Sequence, residues 1–319
     1  MKIVITRKIP PSIVSLMEDG HEVYMWDDEE TVMPRQLLLQ HAADADAIFT
    51  NVSDRIDKEL LGRAPRLKVV STMAVGYNNI DIAEAKKRGI RVGHTPEVLS
   101  EAVADLTFAL LLGTARRVVE ADRYTRAGKW KGWGPMLLTG QDVYGAAIGI
   151  IGMGRIGRGV ARRAKGFGMH ILYHNRTRKP EAEQELGAQW RSLEQLLSES
   201  DYVVMLAPST PETHSMIGPR QFAQMKPNAI LINTSRGGNV DEQALYDALT
   251  TGKIWGAGLD VFETEPIGKE HPLLQLPNVI ALPHIGSATI ETRLQMADIA
   301  ARNLLAALRN ERMLYSVIG

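Results

Sequence analysis

The segment Gly152-Met-Gly154-Arg-Ile-Gly157 constrains this chain more than any other. Its glycines stand in G-x-G-x-x-G spacing, directly after the run Ala147–Ile151, which reads as a buried strand, and they open a helical run through Val160 and Ala164. Strand, glycine turn and helix form the start of a βαβ crossover, and such crossovers build parallel sheets. In this setting the first glycine permits a tight bend, the second lets backbone approach a pyrophosphate, and the third lets helix pack on strand. Helix N-terminal amides then face the anion. The expected ligand is a dinucleotide, with Gly152, Gly154, Arg155, Ile156 and Gly157 around its phosphates.

The rest of the chain repeats the pattern. Short β-branched runs at Lys2–Ile5, Glu22–Trp26, Ala47–Thr50, Lys68–Met73 and Ile90–Gly93 alternate with helical segments. After a helical stretch from Ser100 to about Arg117, a second series follows at Ala147–Ile151, His170–His174, Tyr202–Ala207, Ala229–Asn233, Ile254–Val261 and Asn278–Leu282. This predicts an α/β protein with two parallel-sheet domains, which suits a length of 319 residues. A long amphipathic helix is expected from Ser287 to about Leu308, and sending it back to the first domain is the economical topology.

Composition removes competing classes. The 37 Lys and Arg balance 37 Asp and Glu, so no long-range field draws nucleic acid or a membrane surface. The chain has no cysteine, which excludes disulfides, thiolate metal sites and thiol nucleophiles and fits a reducing, cytoplasmic setting. Arg7 and Lys8 interrupt any signal-peptide apolar stretch. No apolar run approaches the ~18 residues needed to span a bilayer. The histidines show no H-E-x-x-H spacing, and no metal is expected.

Two further features concern the cofactor and the chemistry. NAD-binding units place an acidic residue at the end of their second strand, on the ribose 2′-hydroxyl. Here that end reads Asn175-Arg176-Thr177-Arg178-Lys179, without a carboxylate. Arg176 and Arg178, with Asn175 and Thr177 as neutral donors, suit a 2′-phosphate, so NADP(H) is preferred and NAD(H) possible. Arg236, Glu265 and His284 each follow a strand of the second series, at the edge where open α/β sheets hold ligands.

With these residues the sequence resembles the D-isomer-specific 2-hydroxyacid dehydrogenase family. The resemblance runs through Ala74-Val-Gly-Tyr-Asn-Asn-Ile-Asp81, Gly152–Gly157, Asn233–Gly237, Gly258-Leu-Asp-Val-Phe262 and Pro283-His-Ile-Gly-Ser287, and covers essentially the whole chain. Through 164–168, 175–178 and 129–133 it is most similar to the glyoxylate/hydroxypyruvate reductases. The resemblance implies two Rossmann-like domains, one flavodoxin-like and one dinucleotide-binding, with a cleft between them. The substrate domain would be discontinuous, 1–99 with 287–319, and the dinucleotide-binding domain would be 100–286. It also implies that His284 donates a proton to a 2-keto acid and that Glu265 stabilises and orients the imidazolium. Arg236 and the amides of Val75 and Gly76 would take the substrate carboxylate. Thr234, Ser235, Asp260 and Thr107 would touch the cofactor. Other readings remain open: a phosphoglycerate or D-lactate type dehydrogenase, or a dinucleotide-sensing corepressor that binds proteins. Trp130 and Trp133 either cap a pocket, in this chain or a neighbour in a homodimer, or pack under their own loop.

Overall fold

The computed structural model describes residues 1–318, which form two compact units: Met1–Leu99 with the segment from Ala288 onward, and Ser100–Ser287. The first unit holds β1 (Lys2–Ile5), β2 (Glu22–Met25), β3 (Ala47–Thr50), β4 (Val69–Thr72) and β5 (Arg91–Gly93). The second holds β6 (Ala147–Ile151), β7 (His170–His174), β8 (Gln189–Trp190), β9 (Tyr202–Met205), β10 (Ile230–Asn233), β11 (Gly256–Leu259) and β12 (Val279–Ala281). The chain then rejoins the first unit through the helix Ile290–Leu308 and the strand β13 (Ser316–Ile318). Among the described residues no helix is long and apolar enough to cross a membrane.

Each unit is a parallel sheet covered by helices on both faces. In the first, the order is β13-β5-β4-β3-β1-β2, all parallel except β13 against β5. Ile3 and Ile5 enter one buried cluster with Ala47 and Phe49, while Val4 and Ile48 enter another on the opposite face. That is the two-residue alternation of a strand buried on both sides, and it explains why these strands read as continuous apolar runs. The helix Ile290–Leu308 packs on this sheet through Ala297, Ala300, Ala301 and Leu304, all fully buried. Buried Asn303 pins it: its Nδ2 donates to the His94 carbonyl at 3.0 Å and its Oδ1 accepts Tyr315 N–H at 3.0 Å, which sets β13 beside β5.

In the second unit the order is β12-β11-β10-β9-β6-β7-β8, all parallel. Order reverses between β6 and β9, so their C-terminal ends make the switch point where doubly wound sheets bind ligands. Ile148 and Ile150 face one cluster, Ile151, Val203 and Met205 the other. Two strands escaped the sequence pattern. β8 has only two residues at a sheet edge, and β13 is antiparallel and three residues long. Neither is long enough for alternation to register.

Candidate active site

At the switch point, the β6 turn needs glycine for two different reasons. Gly152 has φ +109, and a Cβ there would lie 2.7 Å from the Ala207 nitrogen, just past β9. A Cβ on Gly157 would lie 2.2 Å from the Gly152 carbonyl oxygen. Those two glycines serve the protein's own packing. Gly154 does not: it has φ −83, and its Cβ would meet nothing within 4 Å. It is exposed, as is Arg155, at the N-cap of the helix Arg155–Gly166, where no side chain caps the amides. Open space over uncapped helix amides is what an approaching pyrophosphate requires. Asn175 braces this turn, its Oδ1 accepting Met153 N–H at 2.7 Å.

Past β7, the two arginines differ. Arg178 is latched to Glu183 through Nε and Nη2 at 3.0 and 2.8 Å, and Tyr173 Oη donates to the same carboxylate at 2.7 Å. The Glu183 carboxyl is held below its usual range, by Arg178 first and Tyr173 next. Arg176 is exposed and makes no hydrogen bond or ion pair among the described residues. Thr177 is exposed beside it.

Arg236, Glu265 and His284 come together in this unit. Asn233, the last residue of β10, shapes the first turn: its Oδ1 accepts from Ser235 N–H and Oγ at 3.1 and 3.0 Å, and its Nδ2 donates to the Arg236 carbonyl at 3.0 Å. Gly237 then passes so close to the next loop that a Cβ would fall 1.8 Å from the Phe262 carbonyl carbon. That loop carries Glu265, whose Oε1 accepts Phe262 N–H at 3.0 Å and whose Oε2 meets His284 Nδ1 at 2.7 Å. Burial pushes the Glu265 carboxyl up. The His284 hydrogen bond and charge, the Phe262 amide and the Arg236 charge outweigh it, and the group ends below its ordinary range. The carboxylate half of the pair therefore persists as pH falls through the usual glutamate range and is lost only below it. For Arg236, burial lowers the pKa and the Glu265 charge opposes that.

His284 itself sits in the left-handed region, at φ +55. For a residue with a Cβ that costs about 1–2 kcal/mol. Asp260, almost fully buried, supplies the compensation: Oδ1 accepts Ile285 N–H and Oδ2 accepts Gly286 N–H, both at 2.8 Å. Hydrogen bonds to a charged acceptor contribute about 1.5–3 kcal/mol each, so the pair outweighs the strain. Burial pushes the Asp260 carboxyl up, while those amides and the His284 charge oppose it.

Two of the residues expected at the cofactor also hold protein groups in place. Asp260 accepts a backbone N–H on each oxygen and so braces the His284 turn. Thr107 is fully buried, its Oγ1 donating to Val103 O at 2.7 Å and lying 2.8 Å from Thr234 Oγ1. It supports the Thr234 loop from behind, because its helix faces the sheet interior. Sequence spacing cannot tell a residue that lines a site from one that props the lining up. Ser235 remains half-buried, its Oγ also accepting Asn239 Nδ2 at 3.2 Å.

In the first unit, Val75 and Gly76 follow β4. Thr95 N–H donates to the Ala74 carbonyl at 2.8 Å and His94 Nδ1 pairs with the Val75 carbonyl at 3.0 Å, so the carbonyls are held. Among the described residues neither the Val75 nor the Gly76 amide donates a hydrogen bond. Asn79 Nδ2 ties the loop to its neighbour by donating to the Asn51 and Asp54 carbonyls at 2.9 and 2.7 Å.

Residues 108–286 match the family model described as D-isomer specific 2-hydroxyacid dehydrogenase, NAD binding domain. The chain is also 54% identical over 309 residues to a glyoxylate reductase of Thermococcus gammatolerans, covering 96% of this chain and 92% of that one. The chain belongs to the D-isomer-specific 2-hydroxyacid dehydrogenase family. Solved structures agree. A Thermus thermophilus protein superposes with a TM-score of 0.93 at 46% identity, covering 100% of both chains. An NADPH-dependent glyoxylate/hydroxypyruvate reductase of Sinorhizobium meliloti, in complex with NADP and malonate, superposes with a TM-score of 0.86 at 34% identity, covering 99% and 96%. This dehydrogenase is thus an NAD(P)-dependent oxidoreductase, and the space over Gly154 fits its dinucleotide.

The contrast between glycines gives a test of that site. Gly154→Ala should leave the melting temperature unchanged and raise the dinucleotide Kd roughly tenfold, measured by nicotinamide fluorescence titration. Gly152→Ala should instead lower stability by roughly 2 kcal/mol or more, through the positive φ and the clash. An unchanged Kd in folded Gly154→Ala would remove the phosphates from this turn.

Proposed function

We propose that this dehydrogenase reduces small 2-keto acids, glyoxylate and hydroxypyruvate first, to 2-hydroxy acids with NADPH as preferred cofactor. The observation that carries the reading is the 2.7 Å contact of His284 Nδ1 with Glu265 Oε2. It leaves Nε2 as the nitrogen for substrate, and among the described residues nothing bonds to it. The chemistry a bound nicotinamide supplies is a hydride for the carbonyl carbon. His284 delivers the proton to the carbonyl oxygen from Nε2, and Glu265 balances the imidazolium charge until that proton leaves. Arg236 takes the substrate carboxylate and polarises the keto oxygen. In the first unit, the amides of Val75 and Gly76 donate no hydrogen bond among the described residues and are candidate donors for a substrate carboxylate. The names of the relatives support this substrate class.

For the cofactor, the open turn at Gly154 takes the pyrophosphate while Gly152 and Gly157 let strand, turn and helix close behind it, Thr234 and Ser235 lie along the same edge, and the end of β7 selects the 2′-phosphate. Arg176 is the readier donor there, since Arg178 is latched to Glu183. A second copy of the chain covers the loop 128–140, where Trp130, Trp133 and Met136 are 59%, 86% and 75% exposed. Large apolar side chains rarely stand so bare together in one segment of a monomer.

His284→Ala should lower kcat roughly a hundredfold to ten-thousandfold for both 2-keto acids while dinucleotide binding holds. Equal loss of both would make the histidine structural. Arg176→Ala should weaken NADPH about tenfold and leave NADH nearly unchanged, with Arg178→Ala a smaller step. A parallel loss for both cofactors would refute selection by Arg176. Sedimentation should give a dimer, and Trp133→Ser with Met136→Ser should shift it toward monomer; a wild-type monomer would sink the homodimer.

A further inference from the structure

Glu242 takes no part in the chemistry above, yet it grips the loop that carries Glu265. It begins the helix Glu242–Thr250, five residues after the tight contact of Gly237 with the Phe262–Glu263 backbone. Its Oε1 accepts Glu263 N–H at 2.8 Å, and its Oε2 lies 3.2 Å from His271 Nε2. His271 Nδ1 accepts Leu273 N–H at 3.4 Å, so the neutral ring carries its proton on Nε2 and donates it to Glu242. Both side chains are largely sheltered, at 17% and 28% exposure. Phe262 packs against the His271 ring, with centroids 6.5 Å apart.

One carboxylate thus spans the loop, holding its backbone at Glu263 and its far end at His271, with Glu265 between. Glu265 has little other anchorage: its oxygens reach only Phe262 N–H and His284 among the bonds described. Slack at Glu263 would pass to Glu265 within two residues, and from there to the imidazole it orients. A misplacement of about 1 Å at a reacting group can cost a hundredfold in rate.

We propose that Glu242, backed by His271, is a positioning residue for the Glu265–His284 pair. The proposal rests on the proton-donor reading of His284, and its test separates the two. Steady-state rates with glyoxylate and NADPH are compared for Glu242→Ala, Glu242→Gln, His271→Ala and Glu265→Gln, each with its melting temperature. Glu242→Ala should lower kcat about tenfold with the KM for NADPH unchanged, because slack in this loop displaces the proton donor rather than the dinucleotide turn. Glu242→Gln keeps an amide oxygen for Glu263 N–H and should stay within about threefold of wild type. His271→Ala should fall between them. Wild-type kcat in folded Glu242→Ala, or a matching rise in the NADPH KM, overturns the positioning role. Should Glu242→Ala not fold, wild-type kcat in His271→Ala overturns it, and a fall that Glu242→Gln does not share supports it. Wild-type kcat in Glu265→Gln would instead remove the reading on which the proposal stands.

Discussion

The buried carboxylate of Asp260 is the interaction on which the site geometry depends. It follows β11 directly and accepts the two amides that follow His284. It steadies a histidine at φ +55, a left-handed conformation that is uphill for any side chain with a Cβ. A Cβ at Gly286 would come within 3.1 Å of the same carboxylate, so the turn and its acceptor are fitted to each other. The strain is local and the compensation is close by, which fixes the His284 backbone on its own turn.

The parallel sheet decides where such devices can stand. Strands buried on both faces can carry no charge along their length, so polar chemistry collects where they end. In the second unit Gly152 follows β6, Asn175 follows β7, the Asn233–Arg236 turn follows β10 and Asp260 follows β11, all on one edge. The loops on that edge are stitched to one another by backbone: Gly152 against Ala207, Gly237 against Phe262, Asn239 Nδ2 to the Ala207 carbonyl at 2.8 Å. Close approach of main chains explains why glycines cluster there, independent of any ligand. Gly154 stands out from them because no protein atom asks for it.

Legibility in the sequence follows the same division. Strand positions in each series, the glycine turn and the long helix of the first unit were readable, since each rests on periodicity or on a residue type that only one backbone tolerates. Position at the strand ends singled out Arg236, Glu265 and His284, the family resemblance supplied their roles, and the structure brings the three together. What spacing could not show was support: Thr107 behind Thr234, Asp260 under the His284 turn, Asn233 inside its own turn, Glu242 across the loop. Asn233 had a signal, an Asn closing a strand before a turn. Glu242 had none, because its partner amide is distant in sequence and any carboxylate at a helix start already looks explained by the helix dipole.

The end of β7 shows the limit most clearly, and energetics say what it means. Nothing in Asn175–Lys179 reveals that Glu183 would claim Arg178, since the pair forms only once the helix Pro180–Leu186 turns back over the strand. The Arg178 side chain is 64% exposed, and solvent screening leaves such an ion pair weak. On the NADPH reading, a phosphate accepting charge-assisted hydrogen bonds at about 1.5–3 kcal/mol each can compete Arg178 away from the latch. Tyr173 keeps its bond to Glu183 in either case, so the carboxylate is not left unpaired when the arginine goes. On that reading the latch reduces what Arg178 would add to cofactor choice without abolishing it, and Arg176, which makes no hydrogen bond or ion pair among the described residues, would contribute the larger share.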